Sequence, residues 1–294
     1  MSDNYRPKSW DDYIGQEKLK DRLSIHISGA LERSETLDNV LLIGTPGCGK
    51  TTIAALIAQE MCQDYVSFVM PIKQTVFKRL IQMFSGVVLL DELHNLPTKQ
   101  QTDLLPLIED RYLQLDNGTR IEAPGITFIG ATTEPKDVIG PLQERFRINP
   151  TFDEYSDSEM ARIVLRMGKG NGVDFTYDEA QRLGVATGGV PRNAQSFVVM
   201  AQDLCTTNPE LILEKCRISP DGLTENHIKY LTTLNDCGSS VGIELLGAHL
   251  QLPKSMIINL ERLLLKREMI EYTKQGRSLL PNGFKAIGVN AKFF

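Results

Sequence analysis

A glycine-rich stretch near the start of the chain combines residue types and spacings that can bind phosphate groups. The sequence VLLIGTPGCGKTT, residues 40–52, fits the pattern G-x-x-x-x-G-K-[ST] without a mismatch. Glycines let the backbone turn tightly and point several N–H groups inward, and the positive end of the following helix also attracts anions. We therefore expect a polyphosphate to lie on the backbone of Gly47, Cys48 and Gly49. Lys50 would reach its β- and γ-phosphates.

The two threonines after the lysine extend this prediction to a metal ion. We expect the Thr51 hydroxyl to bind Mg²⁺ and the Thr52 hydroxyl to contact an oxygen of the α- or β-phosphate. A glycine-rich turn without a ligand is the alternative. It is disfavoured because the loop lies between an apolar strand-like run, residues 40–43, and a helix-like run, residues 52–61.

A pair of carboxylates follows a second apolar run, in GVVLLDELHNL. Asp91 and Glu92 come at the C-terminal end of this run, where ligands bind in open parallel sheets. We expect Asp91 to support Mg²⁺ through its water shell and Glu92 to orient and activate an attacking water. Without the phosphate loop, the pair would indicate only a strand leaving the core. We interpret His94 as a packing or hydrogen-bonding residue, since no second histidine lies nearby to bind a metal.

Four further polar residues could sense the bound polyphosphate. The apolar run ITFIGATTEP ends in Thr132 and Thr133, and small hydroxyls at a strand end could hydrogen-bond the γ-phosphate or the water. Arg145, in IGPLQERF, could enter a neighbouring subunit's site in an oligomeric ATPase. Arg192 follows Pro191, which suits the first turn of a helix, so its side chain would project from a helix N-terminus. A polar turn and two surface arginines are the alternatives.

These residues need a scaffold that brings the ends of several strands together. Strand-like and helix-like runs alternate along the first half of the chain, which predicts an α/β fold with a parallel sheet and helices on both faces. The strand-like runs are residues 40–43, 66–70, 87–90 and 126–130. Residues 156–205 are predicted to be helical, with a capped start at Ser156 or Ser158 and Glu159 behind it.

The C-terminal part of the chain has the pattern of a winged helix. Residues 225–236 and 253–268 are amphipathic, and residues 269–281 predict two short strands around a basic turn. Proline and glycine cluster near the proposed boundaries. We expect three domains: a phosphate-binding domain over residues 1–155, a small helical domain over 156–222 and a winged helix over 223–294.

Composition excludes several other classes of protein. The 294 residues are 41% hydrophobic and 23% charged, as in ordinary soluble globular proteins. We find no apolar signal segment and no run long enough to span a membrane, so we expect a cytoplasmic protein without membrane association. Five cysteines without a C-x-x-C pair indicate neither a zinc site nor a disulfide framework. We expect the phosphate loop to lower the pKa of the Cys48 thiol.

Charge is unevenly distributed along the chain. The net charge of −5 argues against a protein that coats nucleic acid over its whole surface, yet basic residues are in slight excess from Leu223 onward. This excess either contacts nucleic acid or belongs to a solvated surface.

The order of the motifs resembles that of the AAA+ ATPases, and specifically of the RuvB family of Holliday-junction branch-migration motors. The segments RPKSWDDYIGQ, GTPGCGKTT, LLDELH, GATT, PLQERF and GGVPR follow one another along almost the whole chain. The resemblance implies an AAA+ P-loop sheet domain, a helical lid and a winged-helix DNA-binding domain. It implies ATP and Mg²⁺ as cofactors, a hexameric homo-oligomeric ring, and double-stranded and branched DNA as partners. It leaves open a RuvA-like junction-binding partner.

The resemblance also implies roles for particular residues. Arg145 corresponds to the arginine finger and Arg192 to the second sensor. Further nucleotide contacts are implied for Arg6, Tyr13 and Ile14 near the adenine and ribose, for Glu109 and Asp110 at an acidic position, and for Tyr155. In the winged helix, Arg277 keeps a basic DNA-facing position.

Several residues depart from the family pattern. Gln143 stands where the family has an arginine before the finger, and Tyr272 and Gln275 stand where its wing usually has arginines. Lys274 would partly compensate for a weaker grip on the DNA backbone. The hairpin in LQLDNGTRIEAPG, with its turn at Asn117-Gly118, is shorter than the hairpin that docks onto RuvA in the family.

Three classes of function fit these observations. We favour an ATP-driven translocase that moves branch points of four-way junctions in recombination and repair. An AAA+ loader that places a clamp or helicase on DNA is the main alternative, although a winged helix differs from the helical collar that usually ends a clamp loader. The third class, a module that binds nucleotide without hydrolysis, is disfavoured by the intact Lys50, Asp91 and Glu92.

Overall fold

The chain folds into two compact units, residues 1–155 and residues 156–294. The structure is a computed structural model that describes residues 3–114, 118–123, 125–238 and 240–288. The boundary near residue 155 separates the two units, whereas the boundary expected near residue 222 lies within the second unit.

A four-stranded parallel sheet organises the first unit. Its strands are β1 (Val40–Ile43), β2 (Tyr65–Val69), β3 (Gly86–Asp91) and β6 (Ile126–Thr132). They lie in the order β1-β6-β3-β2. The central strands β3 and β6 are almost continuously buried, which is why their sequences are apolar runs rather than alternating patterns. A separate antiparallel pair joins β4 (Tyr112–Gln114) to β5 (Arg120–Glu122). Asn117, half of the predicted turn, lies outside the described residues.

Helices cover both faces of this sheet, as the sequence predicts. Along β3, Val87 and Leu89 belong to one core cluster, whereas Val88 and Leu90 belong to another, because successive side chains of a strand point to opposite faces. The helices of the unit are α1 (Glu17–Glu32), α2 (Lys50–Glu60), α3 (Gln74–Met83), α4 (Thr98–Asp103), α5 (Leu105–Asp110) and α6 (Gly140–Arg145). The first cluster packs under α1 and α2, and the second under α3, α5 and α6.

The second unit begins with a group of four helices. They are α7 (Asp157–Gly170), α8 (Tyr177–Ala186), α9 (Pro191–Leu204) and α10 (Pro209–Cys216). Reciprocal hydrogen bonds between Ser156 and Glu159 cap α7, and the same capping box joins Thr176 to Glu179 at α8. Of the two serines predicted as the start, Ser156 is therefore the cap.

The remainder of the second unit is a winged helix. Three helices precede a two-stranded hairpin, and a short helix follows it. These elements are α11 (Glu225–Cys237), α12 (Ile243–Leu250), α13 (Lys254–Lys266), β7 (Ile270–Thr273), β8 (Gly276–Leu279) and α14 (Pro281–Ala286). Their apolar residues share one core cluster that includes Tyr230, Leu246 and Leu264. Within the part of the chain that the structure describes, every helix is too short or too polar to cross a membrane.

Candidate active site

The carboxyl ends of three neighbouring strands meet at one edge of the sheet. Ile43, the last residue of β1, lies opposite Thr132, the last residue of β6, and Leu90 of β3 lies opposite Gly130. The Gly44 N–H donates to the Thr132 carbonyl at 3.2 Å. The parallel register therefore brings the phosphate loop, the acidic pair and the threonine sensor together, as expected for a sheet that binds its ligand at the strand ends.

The phosphate loop has the geometry of an anion cradle. Gly47 and Gly49 have positive φ angles of 77° and 112°, and α2 begins directly after them. A Cβ atom on Gly49 would come within 2.6 Å of the Tyr13 hydroxyl, and one on Gly44 within 2.7 Å of the Cys48 sulfur. Gly49 combines this close approach with a positive φ angle that favours glycine, and at Gly44 a larger residue would require the Cys48 side chain to move. The loop backbone also precedes a helix N-terminus, so the residues present suit a phosphate ligand.

Lys50 lies over the phosphate loop and is almost completely buried. Its ammonium donates to the Gly44 carbonyl at 2.8 Å and to the Thr45 carbonyl at 3.2 Å. Because these carbonyls belong to the loop itself, the lysine charge is held at the mouth of the cradle.

Oxygen atoms suited to Mg²⁺ lie beside the loop. The Thr51 hydroxyl donates to Asp91 Oδ2 at 3.5 Å. The second carboxylate oxygen of Asp91 accepts the Glu92 N–H at 2.9 Å. A hydroxyl and a carboxylate are hard oxygen ligands of the kind that Mg²⁺ prefers, so both predicted metal residues fit the ion.

Glu92 has an unusual backbone conformation. Its φ and ψ angles are 53° and 48°, in the left-handed region that residues with a side chain seldom adopt. Such strain is concentrated at functional sites. The Glu92 carboxylate lies 3.4 Å from Nδ1 of His94, which in turn lies 3.0 Å from the Thr132 hydroxyl. The predicted base and the predicted sensor are thus joined through one imidazole.

Two buried tyrosines line the site where the resemblance implied nucleotide contacts. The Tyr155 hydroxyl donates to the Tyr13 hydroxyl at 3.1 Å, and burial raises the Tyr13 pKa well above its ordinary value. Gln16 fixes the N-terminal segment, since its side-chain amide exchanges two hydrogen bonds with the Asp153 backbone. Ile14, next to Tyr13, is half-buried.

Arg6 lies at the opposite end of the same N-terminal segment. It lines a cavity of about 170 Å³ together with Thr52 and Leu56 of α2. The segment is tied to α2 where the Gln59 side chain donates to the Lys8 carbonyl at 2.8 Å. Arg6 and Thr52 therefore face a shared space beside the phosphate-loop helix.

The expectation for Cys48 is wrong. Burial raises the pKa of its thiol, and the nearby Lys50 charge only partly opposes this effect. Desolvation disfavours the thiolate more strongly than the loop stabilises it.

Arg145 and Glu109 form an ion pair at the surface of the first unit. The Arg145 Nε–H donates to Glu109 Oε2 at 2.6 Å, and another guanidinium N–H donates to the Pro141 carbonyl at 2.8 Å. Asp110, next to Glu109, is exposed. Gln143 donates to the carbonyls of Pro135 and Val138 and so braces α6 against the segment after β6.

Arg192 is exposed in the first turn of α9, with Pro191 before it as predicted. It belongs to the second unit, whereas the phosphate loop belongs to the first. Its contact with a nucleotide stays a prediction.

The environment of Arg277 argues against the expectation that it faces DNA. Its guanidinium donates to both oxygens of Glu261, at 2.8 and 3.3 Å, and Glu261 is fully buried. The hydroxyls of Tyr230 and Tyr272 each donate to the same carboxylate at 2.8 Å. The Arg277 charge is thus neutralised inside the domain, whereas Lys274 is exposed at the turn of the hairpin.

One residue that matters here was missed in the sequence. Glu261 lies in the buried apolar stripe of α13 together with Ile257 and Leu264, and an acidic residue in such a stripe indicates a buried partner. His94 was interpreted as a packing or hydrogen-bonding residue, and its hydrogen bond with Thr132 confirms this.

The fold and the site together define a P-loop ATPase of the AAA+ type that carries a winged helix. The profile of the Holliday junction DNA helicase RuvB P-loop domain matches residues 5–152, and that of the RuvB C-terminal winged helix domain matches residues 220–288. The chain belongs to the RuvB family.

Individual relatives and structures agree with this assignment. The RuvB subunit of the Holliday junction branch migration complex from Paramagnetospirillum magneticum is 33% identical, over 97% of this chain and 89% of the relative. The corresponding Phytoplasma mali subunit is 32% identical, over 96% and 92%. The structure of the Thermotoga maritima RuvB Holliday junction branch migration motor is similar with a TM-score of 0.84 and 29% identity, covering 98% of this chain and 100% of that one.

Proposed function

We propose that the protein is an ATP-driven motor that moves the branch point of four-way DNA junctions. The observation that carries the proposal is the meeting of Lys50, Asp91, Glu92 and Thr132 at one sheet edge, in a chain that also contains a winged helix. The relatives named as subunits of the Holliday junction branch migration complex support the same function.

The geometry supports a division of labour in ATP hydrolysis. Lys50 and the loop amides bind the phosphates, and Thr51 and Asp91 would hold Mg²⁺, which supplies charge neutralisation when bound. Glu92 takes a proton from the attacking water, and Thr132 donates a hydrogen bond toward the γ-phosphate or that water. In this proposal, Arg6, Tyr13, Ile14 and Tyr155 surround the nucleoside.

Assembly and DNA binding complete the proposal. We propose a hexameric ring in which Arg145 acts on the neighbouring subunit's nucleotide, with Glu109 and Asp110 at the same surface. Residues 156–222 form a helical lid, from which Arg192 senses the nucleotide. Residues 223–294 bind duplex DNA through its backbone, with Lys274 as a phosphate contact. A RuvA-like protein is the proposed partner at the junction.

The test is dissociation of a synthetic four-way junction with labelled arms, in the presence of ATP and Mg²⁺. The parent protein should separate the junction into duplex products. Glu92→Gln keeps the shape of the side chain and the phosphate cradle but lacks the base, so its ATP turnover should fall about 10²- to 10⁴-fold. It should bind the junction without separating it.

A parent protein that hydrolyses ATP and leaves the junction intact, both alone and with a RuvA-like protein added, would overturn the proposed motor. If it then retained a sliding clamp or a helicase on DNA in an ATP-dependent manner, the loader would be favoured. Equal ATP turnover in the parent and the Glu92→Gln variant would show that Glu92 is not the base.

A further inference from the structure

His94 lies between the two groups that the proposed hydrolysis depends on. It belongs to a short 3-10 helix, Leu93–Asn95, that starts directly after Glu92. Its Nδ1 atom is 3.0 Å from the Thr132 hydroxyl and 3.4 Å from a carboxylate oxygen of Glu92. Only 16% of its side chain is exposed. One ring nitrogen therefore contacts both groups.

The hydrogen bonds of Thr132 restrict what its hydroxyl can do. Thr132 is fully buried, and its hydroxyl oxygen accepts the Glu134 N–H at 3.1 Å. A hydroxyl has two acceptor lone pairs and one proton, so one lone pair and the proton remain. His94 uses one of them, and its tautomer decides which.

The carboxylate of Glu92 selects the tautomer. An unprotonated Nδ1 would direct its lone pair at the negative Glu92 oxygen, and the two would repel each other. A protonated Nδ1 would instead direct its N–H at that oxygen and attract it. With the proton on Nδ1, His94 donates to Thr132 and fills its second lone pair. The Thr132 proton then has no partner in this network and can be donated. Phosphate oxygens only accept, so a donor is what a γ-phosphate sensor needs.

We propose that His94, with a proton on Nδ1, is a positioning residue that holds the Glu92 carboxylate and keeps the Thr132 hydroxyl as a donor toward the nucleotide. This inference rests on the proposed ATP hydrolysis. The left-handed backbone of Glu92 turns the chain so that the imidazole comes back over the end of β6. In this arrangement base and sensor are oriented together, and neither can shift without disturbing the same imidazole.

Three variants separate this role from simple packing. His94→Asn places an amide N–H close to the position of Nδ1, whereas His94→Leu fills the space without a donor. His94→Leu should lower kcat for ATP about tenfold, the value of one lost hydrogen bond, and leave KM and the affinity for a fluorescent ADP nearly unchanged. His94→Asn should recover most of kcat. His26→Leu, at an exposed histidine of α1, is the matched control and should behave like the parent.

The tautomer can be measured without nucleotide or turnover. A long-range ¹H–¹⁵N spectrum of the histidine-labelled protein reports which ring nitrogens carry protons, and the chain has four histidines. The signals lost in His94→Asn identify His94. We expect a proton-bearing Nδ1.

Two results would overturn the inference: an Nδ1 without a proton, or a His94→Leu variant with the kcat of the parent. Equal losses in His94→Leu and His94→Asn, together with a lowered melting temperature, would show a structural role instead. Failure of the proposed function would look different. A parent protein without ATP turnover would contradict the proposed function, whereas the ring-nitrogen measurement needs no turnover and would still test the protonation of His94.

Discussion

Arg277 and Lys274 are cations of the same hairpin, and they differ in what their charges contact. Arg277 lies against a fully buried carboxylate and 5.0 Å from the ring centre of Tyr272. Its pKa is raised by the hydrogen bond to Glu261. Lys274 is exposed. A charge that already neutralises a buried acid is not available to a phosphate, so the two residues should respond differently to substitution.

We expect Lys274→Ala to flatten the salt dependence of duplex binding by roughly one unit of slope, because one phosphate contact and its released counterion are lost. Arg277→Ala should instead destabilise the winged helix by about 3–5 kcal/mol, because the buried Glu261 carboxylate would lose its ion-pair partner and keep the hydroxyls of Tyr230 and Tyr272 as donors. Fluorescence anisotropy at several salt concentrations and urea unfolding measure the two effects. If the Arg277→Ala protein were as stable as the parent and its DNA binding depended less on salt, Arg277 would be a phosphate contact after all.

At the scale of elements, α11 starts with a capping box whose second member can titrate. The Thr224 N–H donates to Nδ1 of His227 at 3.0 Å, and the Thr224 hydroxyl lies 2.8 Å from the same atom. Burial lowers the pKa of His227 to about 4. Glutamate or glutamine usually takes this position in a capping box. The histidine accepts the backbone hydrogen bond only while Nδ1 is unprotonated.

Because His227 is buried in this cap, we expect the protein to lose stability in mild acid. In the unfolded chain His227 binds a proton as the pH falls below its ordinary pKa of about 6.5, whereas the folded chain resists protonation until about pH 4. The stabilising contribution is therefore complete above pH 6.5 and falls, by up to about 3 kcal/mol, as the pH approaches 4.

His227→Gln should keep the cap and remove this part of the pH dependence. Urea unfolding of the parent and the variant, compared at pH 7.5 and pH 5, measures the difference. Parallel losses of stability in both proteins would show that other groups cause the acid sensitivity.

At the scale of the whole molecule, the proposed ring requires residues of two subunits at each nucleotide. Arg145 and Glu109 lie together on α6 and α5, at the surface of the first unit, and the Arg145 side chain is 29% exposed. An arginine at such a surface can reach a neighbouring site if subunits pack there.

Mixing two inactive variants tests this arrangement. Arg145→Ala should bind nucleotide and lose about 10³- to 10⁵-fold in turnover, as expected for an arginine finger, and Lys50→Ala should lose nucleotide binding. In mixed assemblies, a site with an intact Lys50 can receive Arg145 from a Lys50→Ala neighbour, so activity should partly return. Mixed assemblies that form, as shown by mass spectrometry, and remain inactive would argue for a finger that acts within its own subunit.

The sequence by itself determined the local elements and the motifs they carry. Central strands came from uninterrupted apolar runs, the phosphate loop from its glycines and lysine, and a capped start of α7 at Ser156 or Ser158 from the serines and Glu159, between which the structure chose Ser156. These features depend on residues within a few positions of one another, and the corresponding strand, turn and cap geometries follow from local backbone preferences.

Only the tertiary structure decided which distant side chains meet. The contacts of His94 with Thr132, of Arg145 with Glu109 and of Arg277 with Glu261 join residues on different elements. The first pairing depends on sheet register, the second on the packing of one helix beside another, and the third on how a hairpin packs against a helix. For Arg277 and Glu261, burial also strengthens the interaction by removing water from the charges. No local pattern encodes these relations, because they arise only when separate elements share one core.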